Sequence, residues 1–160
     1  MNFQEISSAL AELIVNLNNK GWSAATGTNY SFLLDPERQK YWVSISGKDK
    51  AYFTPNDFME VSLDGSVSEA HQHLKPSAEN LLHATIYKLA TDATIVLHSH
   101  SANLTVLSGW LAQKGEKHIK IEGYEVQKAI GSCKTHEAAI LLPIFDNTQD
   151  MEQLSKAIEE

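Results

Sequence analysis

The sequence has 160 residues, the usual size of one folded domain, so we predict a single domain over residues 1–160. Its formal net charge is −7, without a dense basic patch, which argues against nucleic acid as the main ligand. The single cysteine, Cys133, excludes an internal disulfide framework and fits a reducing compartment. The first residues lack a basic, apolar leader, and no apolar run reaches the roughly 18 residues of a membrane span. We therefore expect a cytoplasmic protein that does not act in a membrane.

The first half of the chain predicts one helix followed by strands. Apolar residues at helical spacing predict a helix over residues 3–19, which Asn2 and Glu5 begin as a capping box and Gly21 ends. The following segments predict strands at 30–34, 41–46 and 59–63, a turn at Asp35-Pro36, a short helix capped by Thr54 with Pro55 first, and a hairpin turn at Asp64-Gly65.

The second half of the chain mixes helices and strands without strict alternation. Helices are predicted at 77–90, 102–113 and 148–160, a helical turn at 125–130, and strands at 94–100, 118–121 and 138–145. The apolar helix 102–113 is expected to be buried. These elements predict an α/β fold of the α+β type, a mixed sheet with helices on its faces.

Two histidines occupy alternate positions at the end of an apolar strand, in Ile95-Val96-Leu97-His98-Ser99-His100. Side chains alternate along a strand, so His98 and His100 point to the same face. Two imidazoles at that spacing can bind one metal ion, and imidazole suits zinc. Hydrogen bonds at a strand end could equally satisfy both rings. The spacing leaves both interpretations open, because the motif is short and specifies no third ligand.

Three polar segments could hold an anionic group. Ser77, in Lys75-Pro76-Ser77-Ala78-Glu79, is predicted to cap a helix whose free N–H groups can bind phosphate. The glycine-bearing loops 26–31 and 46–48 expose backbone N–H groups of the same kind. Taken alone, each segment is explained more simply as a cap or a turn. Glu79 is a candidate catalytic carboxylate, although the helix dipole favours a carboxylate in a first turn anyway.

The other candidate side chains are better explained without chemistry. Glu125 alone is a carboxylate at a helix start, and Cys133 has no Cys-x-x-Cys partner or activating base, so we assign it a structural role. The segment His71-Gln72-His73 repeats the histidine spacing in a polar loop with no strand beneath it. The remaining histidines are isolated and are predicted to be surface or core residues: His83, His118 and His136.

In order along the chain, these segments resemble the class II aldolase/adducin family. A Lys-Pro-Ser-x-Glu helix start followed by a His-x-His strand marks the broad family, and the resemblance spans nearly the whole chain. The segments GWS, GYEVQKA and PIFDN are similar to the family's dehydratases of methionine salvage. The resemblance implies a three-layer fold, with a central, mostly antiparallel sheet between helices, and assembly as a homotetramer with active sites at subunit interfaces.

The resemblance also implies a metal and a phosphorylated sugar substrate. His98 and His100 match ligands of one Zn²⁺ per subunit. Four residues match positions that hold the substrate phosphate: Asn29, Ser46, Gly47 and Ser77. Glu125 matches the proton donor/acceptor of the dehydratases, and Glu79 matches the catalytic glutamate of the related aldolases. Of these two carboxylates, Glu125 is the first choice for the acid/base.

One departure from the family pattern concerns the metal. The resemblance implies a third zinc-binding histidine in a C-terminal His-Gly pair, which is expected beyond residue 160. His118 and His136 do not lie in such a motif. We therefore expect the C-terminal part of the domain to be missing, which would leave sheet edge and apolar surface exposed.

The activity implied by the resemblance is zinc-dependent loss of water from a sugar phosphate. An aldolase of the same family, relying on Glu79, would instead break a carbon–carbon bond. A non-catalytic, adducin-like interaction module is the second alternative. The missing third ligand favours that module. The presence of the candidate ligands and carboxylates disfavours it: His98, His100, Glu79 and Glu125.

Overall fold

A computed structural model describes residues 2–35, 37–131 and 133–159. Every strand pairing among these residues is antiparallel, which confirms the predicted mixed fold with an antiparallel sheet. The chain divides into two compact units, Met1–Ser101 with Thr148–Glu160, and Ala102–Asn147. The helices and strands of the described residues are α1 (Phe3–Asn19), β1 (Asn29–Phe32), β2 (Lys40–Ser44), β3 (Phe58–Ser62), α2 (Asn80–Leu89), β4 (Ile95–His98), α3 (Ala102–Gln113), β5 (His118–Ile121), β6 (Ile140–Pro143) and α4 (Met151–Glu159).

Helix α1 begins and ends where its sequence predicts. The Asn2 side chain accepts the Glu5 N–H at 3.0 Å, and the Glu5 carboxylate accepts the Asn2 N–H at 2.9 Å. This capping box satisfies two donors that a helix start otherwise leaves free. Gly21 follows the helix with a φ of +75°, a left-handed conformation that glycine adopts without strain.

The larger unit contains a four-stranded sheet in the order β3-β2-β1-β4, with α1 packed on one face. Alternate side chains of the strands, among them Tyr30, Phe32 and Phe58, pack with Leu10 and Ile14 of the helix. Ile14, Tyr30 and Phe32 are completely buried. This cluster is the apolar face that the helical spacing of α1 predicted.

Helix α2 packs on the opposite face of the same sheet. The intervening strand residues Tyr41, Val43 and Met59 form a second core cluster with Ala84 and Tyr87 of the helix. The sheet therefore lies between two helical layers, as the family resemblance implied. The short helix α4 also packs against α2.

Polar residues continue the α2 face of the sheet toward the start of that helix. Asn29 of β1 pairs in register with His98 of β4, and Ser31 pairs with Val96. Because paired residues of antiparallel strands point to the same face, Asn29, Ser31 and His98 lie on the face that α2 covers. The first two turns of α2 therefore meet this polar end of the sheet.

The smaller unit contains α3 and the antiparallel pair β5-β6, with Ile119 buried. The predicted bounds of α3 and β5 are confirmed. The prediction that α3 is buried is wrong, because none of its residues is buried in the described chain. A two-stranded sheet is too small to cover more than one side of an apolar helix.

The predicted start of the second helix at Ser77 is also wrong. Pro76 forms an antiparallel bridge with Ile45, which keeps the backbone extended, and a turn follows before α2 begins at Asn80. The Asn80 N–H bonds the Ser77 carbonyl at 3.1 Å, and the Glu79 N–H approaches Ser77 Oγ at 3.4 Å. Ser77 thus closes the preceding turn and does not cap the helix.

The turn predicted at Asp35-Pro36 falls partly outside the described residues, which omit Pro36, and the predicted end of the last helix, Glu160, lies outside them too. The Asp35 carboxylate accepts N–H bonds from Glu37, Gln39 and Lys40, and these bonds lower its pKa. Among the described residues, no helix has the length and apolar character needed to cross a membrane.

Candidate active site

The two histidines of the predicted metal motif converge at the end of β4. Their Nε2 atoms lie 3.1 Å apart, so both rings point to one position as predicted. His98 is the last residue of β4. His100 follows the strand, and its N–H donates to the Trp22 carbonyl at 2.8 Å, which ties it to the loop after α1.

The nitrogen atoms fit a tetrahedral metal ion. Two imidazole nitrogens that each lie 2.0–2.1 Å from a tetrahedral zinc are about 3.3 Å apart, close to the separation of the two Nε2 atoms. Imidazole nitrogen is also a usual zinc ligand, alongside thiolate and carboxylate. Among the described residues no group of three or more His, Cys, Asp or Glu could hold a metal ion. Among the described residues, two nitrogen donors therefore meet at this point, fewer than a zinc site needs.

A carboxylate fixes the orientation of the His98 ring. Glu79 Oε2 lies 2.8 Å from His98 Nδ1, on the side of the ring opposite the converging Nε2 atoms. A carboxylate only accepts hydrogen bonds, so the neutral ring places its proton on Nδ1 and leaves a lone pair on Nε2. The bond from His98 is also the main cause that lowers the pKa of Glu79. Metal-binding histidines commonly have such a carboxylate behind them.

Asn29 lies beside His98 and shares the same carboxylate. Its Nδ2 donates to Glu79 Oε2, and its Oδ1 faces His83 Nε2. Asn29 Nδ2 and His98 Nδ1 are 3.2 Å apart because both donate to one carboxylate oxygen. The Asn29 side chain is buried, with its amide occupied by these contacts. Its predicted role in holding phosphate stays a prediction.

His83 belongs to this cluster, although the sequence suggested an isolated residue. It is 2% exposed, and its Nδ1 lies 2.6 Å from Ser31 Oγ. Burial lowers the pKa of His83 to about 4, so the ring is neutral at pH 7. Glu79, His83 and Tyr87 follow one another at intervals of four residues, which places them on one face of a helix. That spacing was the available signal for His83.

A pocket of about 300 Å³ adjoins the carboxylate and the first histidine. Its polar lining consists of Asn29, Glu79, His83, His98 and Ser99, and apolar side chains line the rest. Concave sites with a few convergent polar groups are typical of small-molecule binding.

The segments predicted to bind phosphate meet in the larger unit. The Ser46 N–H donates to the Lys75 carbonyl at 2.8 Å, next to the bridge between Ile45 and Pro76. This pairing brings Ser46 and Gly47 close to the segment that carries Ser77. Gly47 has a φ of +76°, which suits a tight turn with exposed N–H groups.

Lys50 joins the two glycine-bearing loops and was not predicted from the sequence. It is 1% exposed, and its Nζ donates to the carbonyls of Lys48 at 2.9 Å and Thr26 at 3.4 Å. Its backbone N–H donates to Ala25 at 2.9 Å. Burial lowers the pKa of Lys50. A buried amine thus fixes both loops, whereas the neighbouring Lys48 pairs with Asp57 at 3.1 Å.

The sequence profile of the Class II Aldolase and Adducin N-terminal domain matches residues 8–160. This chain belongs to the class II aldolase and adducin family.

Relatives within the family share the sequence at substantial identity. The chain is 46% identical over 155 residues to a methylthioribulose-1-phosphate dehydratase of Picosynechococcus sp., covering 94% of this chain and 71% of that protein. It is 40% identical over 156 residues to a dehydratase of the same name from Stenotrophomonas maltophilia, covering 98% and 70%. These relatives place the chain among enzymes of the lyase class.

Solved structures of other proteins share the fold of this chain. An L-fuculose-1-phosphate aldolase from Thermus thermophilus matches with a TM-score of 0.57 and 24% identity, over 75% of this chain and 55% of that one. A second L-fuculose 1-phosphate aldolase matches with a TM-score of 0.62 and 18% identity, over 97% and 82%. At these identities the likeness concerns the fold alone.

Glu125, the first-choice carboxylate for the acid/base, lies in the smaller unit. It begins a short 3-10 helix, Glu125–Ala129, and its side chain is exposed. Its two oxygens contact Lys128 Nζ at 2.5 Å and His136 Nδ1 at 3.1 Å. The assignment of Glu125 as acid/base stays a prediction.

Gln127 fixes the turn that carries Glu125. Its side chain is fully buried, donates to the carbonyls of Ile121 at 3.2 Å and Ala138 at 2.6 Å, and accepts the Tyr124 N–H at 2.8 Å. These bonds join the turn to the end of β5 at Ile121 and to Ala138, just before β6.

We expect Gln127→Ala to destabilise the smaller unit by about 2–3 kcal/mol, because three hydrogen bonds are lost and buried groups remain unpaired. Hydrogen exchange of the β5 and β6 amides measures the effect. Val126→Ala is the control, since the Val126 side chain is exposed and its loss should change stability by less than about 0.5 kcal/mol. Equal exchange in the two variants would contradict the assigned role.

Proposed function

We propose that this chain carries the metal half-site of a zinc-dependent dehydratase. The reaction would convert 5-methylthioribulose 1-phosphate to 2,3-diketo-5-methylthiopentyl 1-phosphate in methionine salvage, in the cytoplasm. The main supporting observation is that His98 and His100 direct their Nε2 atoms to one point while Glu79 holds the His98 ring from behind. The dehydratase names of the relatives support the substrate.

His98 and His100 would hold the zinc ion. Catalytic zinc sites use three protein ligands and keep one position open. We propose that a histidine outside these 160 residues, a histidine of a neighbouring subunit in a homotetramer, or water completes the coordination. Bound zinc would supply Lewis-acid polarisation of the substrate's C2 carbonyl and C3 hydroxyl.

The chain's own carboxylates would move the protons. A carboxylate base removes the proton on C3 to give an enediolate, and the C4 hydroxyl leaves as water after it receives a proton from a general acid. The resulting enol becomes the 2,3-diketone. Glu125 is our first choice, because it matches the proton donor/acceptor of the family's dehydratases, whereas Glu79 accepts bonds from Asn29 and from the proposed ligand His98. In this proposal Glu79 orients the ligand more than it transfers protons.

The loops would bind the phosphate and so position the reacting carbons. Ser46, Gly47 and Ser77 lie in segments that the structure joins, and Lys50 places a buried amine between the two loops. The proposed phosphate site consists of Asn29, Ser46, Gly47 and Ser77, and Lys50 holds the loops that carry it. Fixing the phosphate end orients the substrate, which is the usual origin of a large part of enzymatic rate.

Product analysis tests the reaction directly. With 5-methylthioribulose 1-phosphate as substrate, the proposal expects a diketone phosphate with all its carbons. A smaller, triose-type phosphate fragment would instead identify an aldolase. Metal binding without turnover would favour the non-catalytic interaction module.

We expect Glu125→Gln to lower turnover by about 10²–10⁴-fold while the metal content stays unchanged, because the amide cannot accept the proton. Turnover and zinc content are measured on the same preparations. Glu79→Gln is the comparison variant, and it should weaken metal binding by about 10–100-fold, because it removes the partner behind His98. Unchanged turnover in Glu125→Gln would exclude Glu125 as the acid/base.

A further inference from the structure

A continuous chain of hydrogen bonds leads from the buried core to the candidate metal ligand. Tyr87 OH lies 2.8 Å from Ser31 Oγ, which lies 2.6 Å from His83 Nδ1. His83 Nε2 contacts Asn29 Oδ1, and Asn29 Nδ2 contacts the carboxylate behind the metal ligand. Ser31, Tyr87, Asn29 and His83 are all buried, so losing one partner would leave a buried polar group unpaired.

The donors and acceptors of this chain allow one consistent arrangement. Glu79 accepts only, so Asn29 must present its NH₂ group to it and its carbonyl oxygen to His83. That oxygen needs a donor, which places the His83 proton on Nε2. His83 Nδ1 then accepts the Ser31 hydroxyl proton, and Ser31 accepts from Tyr87.

The opposite tautomer of His83 would reverse the amide. A lone pair on His83 Nε2 would face the Asn29 oxygen, and relief of that repulsion requires Asn29 to turn its NH₂ toward the ring. The Asn29 oxygen would then face the Glu79 carboxylate, which repels it. Glu79 would lose one of its two donors and would hold the His98 ring less firmly.

We propose that His83 is a positioning residue that locks the Asn29 amide, and through it Glu79, so that His98 keeps its proton on Nδ1 and presents Nε2 to the metal. This inference rests on the metal site of the proposed function. His83 reaches the ligand through two intervening side chains, and the buried Ser31 hydroxyl, which accepts from Tyr87, can donate to its Nδ1. Partners beyond the ligands commonly affect metal affinity in this way.

Two amide substitutions separate the role of each ring nitrogen. In His83→Gln the side-chain NH₂ can occupy the place of Nε2 and still donate to Asn29. In His83→Asn the shorter amide can reach only the place of Nδ1, near Ser31, and the donor to Asn29 is lost. Both variants lose the imidazole and bury one amide, so a difference between them reports the bond to Asn29.

The first measurement is the His98 tautomer, observed by ¹⁵N NMR of the metal-free chain at about pH 8, where an ordinary imidazole is neutral. We expect the proton on Nδ1 in the parent chain and in His83→Gln, and a mixture of tautomers in His83→Asn. The second measurement is affinity for Co²⁺ followed by its absorption spectrum. We expect affinity within about twofold of the parent for Gln and about tenfold weaker for Asn, the lower end of outer-partner effects.

The outcomes separate the positioning role of His83 from the existence of the metal site. Parent-like tautomer and parent-like Co²⁺ affinity in His83→Asn would overturn the role of His83. Equal losses in both amide variants would also overturn it, since they would indicate a general packing effect. If His98→Ala leaves Co²⁺ binding unchanged, the proposed metal site fails, whereas the tautomer measurement still decides the role of His83.

Discussion

His98→Ala is expected to remove metal binding almost completely. The two Nε2 atoms, which lie 3.1 Å apart, are the donors of the proposed metal site. One imidazole alone cannot hold a zinc ion against water, so the loss should exceed the roughly 10–100-fold effect of removing an outer partner. The measurement is zinc per chain after purification without chelator, about one in the parent and close to none in the variant.

His73→Ala is the matched control for this experiment. It lies in the second His-x-His segment, with the same spacing as the proposed ligands, and in an exposed position. Its removal should leave the zinc content unchanged. Equal metal in the parent and His98→Ala would exclude the site. Absence of metal from the parent as well would mean that two histidines are insufficient and that a third ligand is essential.

Local sequence was sufficient for the parts of the fold that depend on neighbours in the chain. The capping box of Asn2 and Glu5 and the glycine after the first helix place α1 to the residue. The alternation of a strand places His98 and His100 on one side, and their Nε2 atoms confirm it. Each of these features involves residues within a few positions of one another.

Contacts between distant segments could not be predicted in the same way. The pairing of Asn29 with His98 joins positions far apart in the chain, and it depends on which strand lies next to which. His83 was therefore judged alone and assigned no role. The interval of four residues between Glu79, His83 and Tyr87 shows that they share a helix face, but not that the face covers Asn29 and Ser31.

Two predictions, the helix start at Ser77 and the burial of α3, were wrong because they depend on contacts that local sequence propensity does not describe. Ser77 has the residue type of a helix cap, yet the bridge between Ile45 and Pro76 keeps the chain extended and delays the helix to Asn80. The apolar composition of α3 predicted burial, but composition does not say whether enough surrounding structure covers a helix. Its described residues remain at least partly exposed.

The buried histidine also predicts how the larger unit responds to acid. Burial lowers the pKa of His83 from 6.5 to about 4, so the unfolded chain binds a proton that the folded chain does not between these values. The contribution of neutral His83 to the free energy of unfolding is therefore fully present above about pH 7. It falls as the pH decreases from 6.5 toward 4. The linkage relation gives a loss of about 2 kcal/mol between pH 7.5 and pH 5.

Urea unfolding of the metal-free chain, with hydrogen exchange of the β1 amides, measures this loss in the unit that contains His83. His83→Gln is the control, because it cannot titrate and should abolish most of the change in this window. Carboxylates with a lowered pKa, such as Asp35 and Glu79, reduce the free energy of unfolding only at lower pH, as they become protonated below their ordinary pKa values of 3.8 and 4.5. A pH dependence above pH 5 that is the same in His83→Gln would show that other groups cause it. A loss confined to the parent would place the added proton on His83 Nδ1, where it removes the acceptor of the Ser31 hydroxyl while Nε2 still donates to Asn29.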